Sequence, residues 1–292
     1  MSPLFTGCAT ALVTPFLPDG SVDIDALRKL IRLQLDAGID ALVLLGTTGE
    51  PCTLTMQERE TIIQTAAELK PQIPVIVGTG SNDTRRAIEY ARQAKQLGAA
   101  GQLCVTPYYN KTSQDGLIRH YSAIMDACDL PMIFYNVPGR TGMSITAKTA
   151  AALAKHPHAA GIKEASGSIA LSAEIMLETD LPLYAGNDDL IVPLMAMGAQ
   201  GVVSVCSNIL PIQTRAITRA CLAGCFDDAR EVQTALLPLI RMLFSQVSPI
   251  PIKAAMNMMN LIHDVLRLPL TSMEGPDRIR LKDLLQEMEL IS

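Results

Sequence analysis

The chain has 292 residues, 49% of them hydrophobic and 18% charged, which is material for one large core. Length alone leaves open two domains of roughly 150 residues or a single α/β barrel of about 250 with an addition. A net charge of −5 without a basic stripe excludes a typical nucleic-acid partner, and no apolar run approaches the roughly 20 residues of a membrane span. Met1–Thr10 carries no signal-peptide pattern. The seven cysteines form no CxxC pair, so a reducing cytoplasm is the expected compartment. Cys221 and Cys225, four apart, read as small buried hydrophobes on one helix face.

One unit repeats along the chain: a short β-branched run ending in polar or glycine residues, then a longer stretch of helical period. Strands are expected at Cys8–Phe16, Ile39–Gly46, Pro74–Gly80, Gly101–Pro107, Pro131–Pro138, Ala160–Ala165, Leu183–Asn187 and Gly201–Ser207. Helical patterns between them include Asp23–Ala37, Thr55–Leu69 and Asp83–Leu97, and Gly38, Gly98 and Gly198 close helices before the next strand. Short apolar strands without strict alternation belong to a parallel sheet covered by helices. Eight such units point to a closed (β/α)8 TIM barrel, and the first strand is not followed by GxGxxG, which lowers the dinucleotide-binding alternative. The barrel is expected over 1–224. Residues 225–292 read as a C-terminal helical extension, apart from a proline-rich turn at Ser248–Pro251.

In a barrel of this kind the chemistry gathers at the C-terminal ends of the strands. The second strand ends in Gly46-Thr47-Thr48-Gly49-Glu50, where hydroxyls and close-approaching backbone N–H groups suit a small anion, or form an ordinary glycine-bounded turn. The fourth ends in Thr106-Pro107-Tyr108-Tyr109-Asn110, and the fifth in Tyr135-Asn136-Val137-Pro138-Gly139-Arg140-Thr141-Gly142. Three of the six tyrosines thus meet at one rim, and phenols pass protons as well as pack. Arg140 has the planar fork that suits a carboxylate, or is a solvated surface arginine.

The sixth strand carries Gly161-Ile162-Lys163-Glu164-Ala165. An ammonium is costly to bury, so a lysine facing the barrel interior favours the neutral amine that condenses with a ketone; the alternative is a lysine facing outward, paired with a helix carboxylate. Gly186-Asn187-Asp188-Asp189 and Gly201-Val202-Val203-Ser204 close the pocket at the seventh and eighth strands. The four histidines show no ligand spacing, so neither a metal nor another cofactor is expected. The fourteen methionines, with their cluster at Met256–Met259, read as core or interface filler.

The blocks Gly46–Glu50, Thr106–Asn110, Tyr135–Gly142 and Gly161–Glu164 resemble the signature of the dihydrodipicolinate synthase family, within the wider superfamily of Schiff-base pyruvate aldolases. The likeness runs from Gly7 to Ser248–Lys253 and Arg267–Leu270. It implies a lyase that condenses pyruvate with L-aspartate 4-semialdehyde on the route to lysine and diaminopimelate. Carried over by position, Lys163 forms the imine and then the enamine, and Thr47 and Thr48 hold the pyruvate carboxylate. Tyr135 relays protons through Thr47 to Tyr109, which in the family is lent across a tight dimer interface. Arg140 holds the carboxylate of the semialdehyde, the Val203 carbonyl assists near the lysine, and Gly186 belongs to the substrate pocket. A homotetramer, a dimer of dimers, is implied. A sugar-acid aldolase or an N-acetylneuraminate lyase would keep Lys163, Tyr135 and the Gly46–Glu50 turn, but Arg140 and Tyr109 speak against them. A catalytically silent barrel would have lost Lys163 or Tyr135.

One departure from the family is informative. Members inhibited by lysine carry a histidine where this chain has Met56, a carboxylate where it has Arg86, a second histidine where it has Arg59, and Ser-Ala where it has Pro51-Cys52. Asn82 and Tyr108 are retained. A cationic Arg86 facing a cationic ligand is repulsive, so weak or absent inhibition by L-lysine is expected.

Overall fold

The computed structural model describes residues 2–292. Eight parallel strands close on themselves in sequence order, β1 pairing with both β2 and β8. The strands are β1 (Gly7–Ala11), β2 (Ala41–Leu44), β3 (Val75–Gly78), β4 (Gly101–Val105), β5 (Met132–Asn136), β6 (Ala159–Glu164), β7 (Leu183–Ala185) and β8 (Gly201–Ser204). The helices between and after them are α1 (Ile24–Asp36), α2 (Met56–Glu68), α3 (Thr84–Gln96), α4 (Gln114–Ala127), α5 (Pro138–Thr141), α6 (Ala147–Leu153), α7 (Ile169–Glu178), α8 (Ile191–Ala196) and α9 (Pro211–Leu222). Three more close the chain: α10 (Phe226–Leu243), α11 (Ile250–Met258) and α12 (Gly275–Glu287). The fold is the expected TIM barrel with C-terminal helices.

Local chemistry starts the helices where the spacing predicts. Asp23, Asp83 and Ser113 accept from first-turn amides of α1, α3 and α4, and Thr55 with Glu58 forms a complete capping box on α2. Each such cap is worth about 1 kcal/mol, because the first-turn N–H groups otherwise lack a partner inside the helix. Gly38, Gly98 and Gly198 end their helices at positive φ.

The strands' two faces feed two cores. Inside the barrel pack Ala9, Ala11, Val43, Ile76, Leu103, Ile133, Tyr135, Tyr184 and Val203. Phe5 stacks on Tyr184 with ring centroids 4.3 Å apart, and the Tyr184 hydroxyl donates to the Phe5 carbonyl. Outside, Leu42, Leu44, Phe134, Ile162 and Val202 pack against the helices in a much larger cluster. Each fully buried aliphatic or aromatic side chain there contributes roughly 1.5–3 kcal/mol of transfer free energy.

Three sequence expectations are corrected. The first strand stops at Ala11 rather than Phe16, because the Val13 amide is taken by the Asn208 side chain and Phe16 bridges antiparallel to Val22. Leu12 still donates its amide to the Val43 carbonyl at 3.0 Å, and Val13 beyond it is buried by packing alone. Within Ser248–Pro251, helix α11 already begins at Ile250, with Pro251 in the first turn, where a missing amide costs nothing. Cys221 is buried in α9, whereas Cys225 lies beyond that helix and is exposed, so the two do not share a helix face.

Candidate active site

The strands present their C-terminal ends to a cavity of about 290 Å³, walled by Thr47, Tyr108, Tyr135, Arg140, Ser248 and Leu270 among others. Strand alternation decides which way each side chain faces. In β6, Ile162 enters the outer core and Glu164 bonds Asn136 at 2.7 Å outside the barrel, so Lys163 between them faces the interior. Lys163 is 5% exposed, and its Nζ lies 4.3 Å from the centre of the Tyr135 ring, its register partner on β5. Gly186 makes room for it: a Cβ built there would stand 3.1 Å from Lys163 Cε and 2.6 Å from the Ala165 methyl. Val203 is fully buried on the same inner face.

The anion-suited turn is a single 3-10 turn, Thr47–Gly49, ending in Glu50 at a left-handed φ of 51°. Thr48 is buried and Thr47 half-buried. Arg140 is exposed on the short helix α5, and its guanidinium donates to the Ser248 carbonyl at 3.0 Å, leaving other N–H groups of the fork free for a ligand. The structure therefore lines the cavity with Thr47, Tyr135 and Arg140, while Lys163 stands behind the Tyr135 ring and, like Thr48, Gly186 and Val203, is not part of the cavity wall. Tyr109 stands apart, 92% exposed at a φ of 70° and absent from the cavity walls of its own chain.

Three polar features escaped the sequence reading. Asp188 is 1% exposed; its Oδ2 accepts from the Val205 and Cys206 amides at 2.9 and 3.1 Å, while Oδ1 has no partner. Burial pushes this carboxyl above its ordinary range, against the opposing pull of Ser204, the two amides and Lys163. Glu50 and Lys253 form a buried ion pair at 2.7 Å. Arg267 clasps Glu58 and the Gly20 and Thr53 carbonyls. The Glu50–Lys253 pair spans 203 residues, so no local signal announces it.

Of the positions that depart from the inhibited pattern, Pro51 and Cys52 line the cavity, as does the retained Tyr108, and Arg59 and Arg86 meet at the Tyr90 ring. Arg59 is buried with its guanidinium carbon 3.8 Å over the Tyr90 ring, and burial pulls it down to about 10. Arg86 approaches the same ring at 6.0 Å and pairs with Glu89 at 3.2 Å. Tyr108, beside Cys52, is pushed up to about 12, mainly by burial.

Comparison with known proteins decides the family. The profile of the dihydrodipicolinate synthetase family matches residues 4–288. The chain belongs to the dihydrodipicolinate synthetase family. Within it, the 4-hydroxy-tetrahydrodipicolinate synthase of Exiguobacterium sibiricum is 49% identical over 270 residues, covering 91% of this chain and 92% of that protein. The enzyme of the same name from Alkaliphilus oremlandii is 46% identical, covering 99% of this chain and all of that protein. Among solved structures, the chloride-inhibited dihydrodipicolinate synthase of Acinetobacter baumannii, crystallised with pyruvate, superposes with a TM-score of 0.95 at 40% identity, covering 98% of this chain and 99% of that one. The dihydrodipicolinate synthetase family thus contains a pyruvate complex on the same barrel.

Proposed function

We propose that this enzyme, a lyase of the Schiff-base aldolase type, condenses pyruvate with L-aspartate 4-semialdehyde to 4-hydroxy-tetrahydrodipicolinate. The observation that carries the reading is Lys163: an inward-facing, buried lysine against the ring of Tyr135, which lines the cavity together with Arg140. The Lys163 amine adds to the pyruvate ketone and water leaves, giving an iminium. A proton then leaves the methyl carbon and its electron pair moves into the iminium as an enamine. Thr47 and Thr48, on a turn flanked by glycines, hold the pyruvate carboxylate. The enamine attacks the aldehyde carbon of the second substrate, whose own carboxylate meets the Arg140 fork. The amine of that substrate then attacks the imine carbon, the ring closes and Lys163 is released.

Tyr135 and the Thr47 hydroxyl pass the protons without placing charge in the pocket. Their relay ends on Tyr109 of a second copy. The 92% exposure of that phenol in one chain supports this reading, since its own chain leaves the side chain almost wholly uncovered. A homotetramer built as a dimer of dimers fits closed symmetry. Gly186 and the Val203 carbonyl complete the pyruvate pocket. Residues 1–224 are taken as the catalytic barrel and 225–292 as an extension that lends Ser248 and Leu270 to the cavity. Among the described residues no helix is long and apolar enough to cross a membrane, and the cytoplasm is the proposed compartment.

The test supplies the pure protein with both substrates and the downstream reductase, and follows nicotinamide consumption. Turnover that falls by more than about a thousandfold in Lys163→Ala, at unchanged melting temperature, is expected. If borohydride and pyruvate still tag Lys163 but the semialdehyde is not consumed, the second substrate is a sugar-acid aldehyde instead.

A further inference from the structure

The threonines of the candidate carboxylate grip sit on a turn too short to hold itself. Thr47–Gly49 makes only two internal amide bonds, Gly49 to Gly46 and Glu50 to Thr47. It ends in Glu50 at a φ of 51°, a conformation that a residue with a Cβ adopts only when its surroundings impose it. Those surroundings come largely from the C-terminal extension, from α11 and the segment that follows it. Glu50 Oε1 accepts from Lys253 Nζ at 2.7 Å, and Oε2 accepts from the Arg267 amide at 3.0 Å. Lys253 Nζ also donates to the Thr14 carbonyl at 3.0 Å, and the Thr14 hydroxyl donates to the Gly49 carbonyl at 2.8 Å. The Glu50 and Lys253 side chains are 1% and 0% exposed. The entry to the same helix α11 also meets the other candidate grip, through the Ser248 carbonyl that receives Arg140.

A buried ion pair contributes little net stability compared with apolar groups of the same shape, because desolvating two charges offsets their attraction. What it does impose is geometry, since each charge has only one low-energy arrangement of partners. We propose that Glu50 and Lys253 are positioning residues: α11 sets the backbone of the Thr47–Thr48 turn through this pair, and with it the affinity for the pyruvate carboxylate. This inference rests on the reading of that turn as the pyruvate site. Neither residue touches substrate in this account.

The pair predicts a separation of effects. In Glu50→Gln/Lys253→Met the charges go together and the volumes stay, so the melting temperature should remain within a few degrees of wild type. Borohydride trapping by pyruvate, which needs no second substrate, should then require about tenfold more pyruvate for half-saturation, while kcat falls by no more than about twofold. A folded double variant with half-saturation within about twofold of wild type overturns the proposal. The wild-type protein offers a test that does not depend on the variant folding. Adding pyruvate should slow amide exchange at Gly49 and Glu50 and also at Ala254–Met256 in α11; slowing confined to the turn overturns the proposal. A wild-type protein that pyruvate and borohydride fail to tag would remove the pyruvate site itself, whereas normal tagging with no shift in the variant would remove only the role of the pair.

Discussion

Among the described residues two lysines are buried, and each places its nitrogen 4.3 Å from the centre of an aromatic ring: Lys163 over Tyr135 inside the barrel, and Lys253 over Phe16 where the C-terminal helices meet it. Their other partners differ. Lys253 has a carboxylate at 2.7 Å and a carbonyl at 3.0 Å. Among the described residues, no ion pair and no hydrogen bond engages Lys163 Nζ. A cation with its donors satisfied is held in place and unreactive. A lysine nitrogen with an aromatic face beside it and no polar partner to hold it is left free to reach a ketone. The same side chain, buried in both places, therefore serves as a fastener in one region and as the candidate nucleophile in the other, and the polar neighbours make the difference.

Exchanging the two roles by mutation tests this contrast. Lys163→Ala is expected to abolish turnover and leave folding intact, as stated above. Lys253→Met alone should do the reverse: it strands Glu50 as a buried unpaired carboxylate and should lower stability by about 3 kcal/mol in denaturant titration. A Lys253→Met protein as stable as wild type would mean that the pair is not held in solution as it is here.

Arg140→Ala should sharpen the picture of the cavity by separating the two substrates. Removing one charge-assisted carboxylate contact should raise the KM for the semialdehyde roughly tenfold to a hundredfold and leave pyruvate trapping unchanged. Equal changes for both substrates would place Arg140 at the wrong carboxylate.

The fastening region should also be visible in acid. The hydrogen bonds from Arg267 hold the Glu58 carboxyl down from 4.5 to about 2. A carboxyl depressed in the folded state binds fewer protons than in the unfolded chain. Its contribution is therefore present in full above about pH 4.5 and is lost as the pH falls toward 2. Glu58→Gln should remove on the order of 2 kcal/mol at neutral pH and flatten the stability profile in that window. An unchanged profile would show the clasp to be solvated.

The smallest expected effect is a null one. Arg86 pairs with Glu89 and Arg59 covers the Tyr90 ring, so two cations stand at the positions where the lysine-inhibited pattern has a carboxylate and a histidine. L-Lysine below about a millimolar should leave the rate unchanged, and clear inhibition in that range would refute the charge argument.

The barrel was legible in the chain because its determinants are local. Caps at Asp23, Thr55, Asp83 and Ser113, closing glycines at 38, 98 and 198, and short apolar strands each act within a few residues. Lys163 was legible for the same reason: a lysine following the apolar run Ala159–Ile162 within one strand is anomalous on sight. Strand ends were less so, since Leu12 and Val13 are as apolar as the ladder they follow. The sequence by itself determined the succession of strands and helices and the residues that stand at the strand tips. Only the tertiary structure decided that Asp188 meets the Val205 and Cys206 amides, that Arg140 rests on Ser248, and that Glu50 finds Lys253 across 203 residues. Closing the barrel and folding the last helices back over its rim create those contacts. Such long-range pairs leave no periodicity in either partner segment, because each residue answers to a neighbour that the chain reaches only once it has folded.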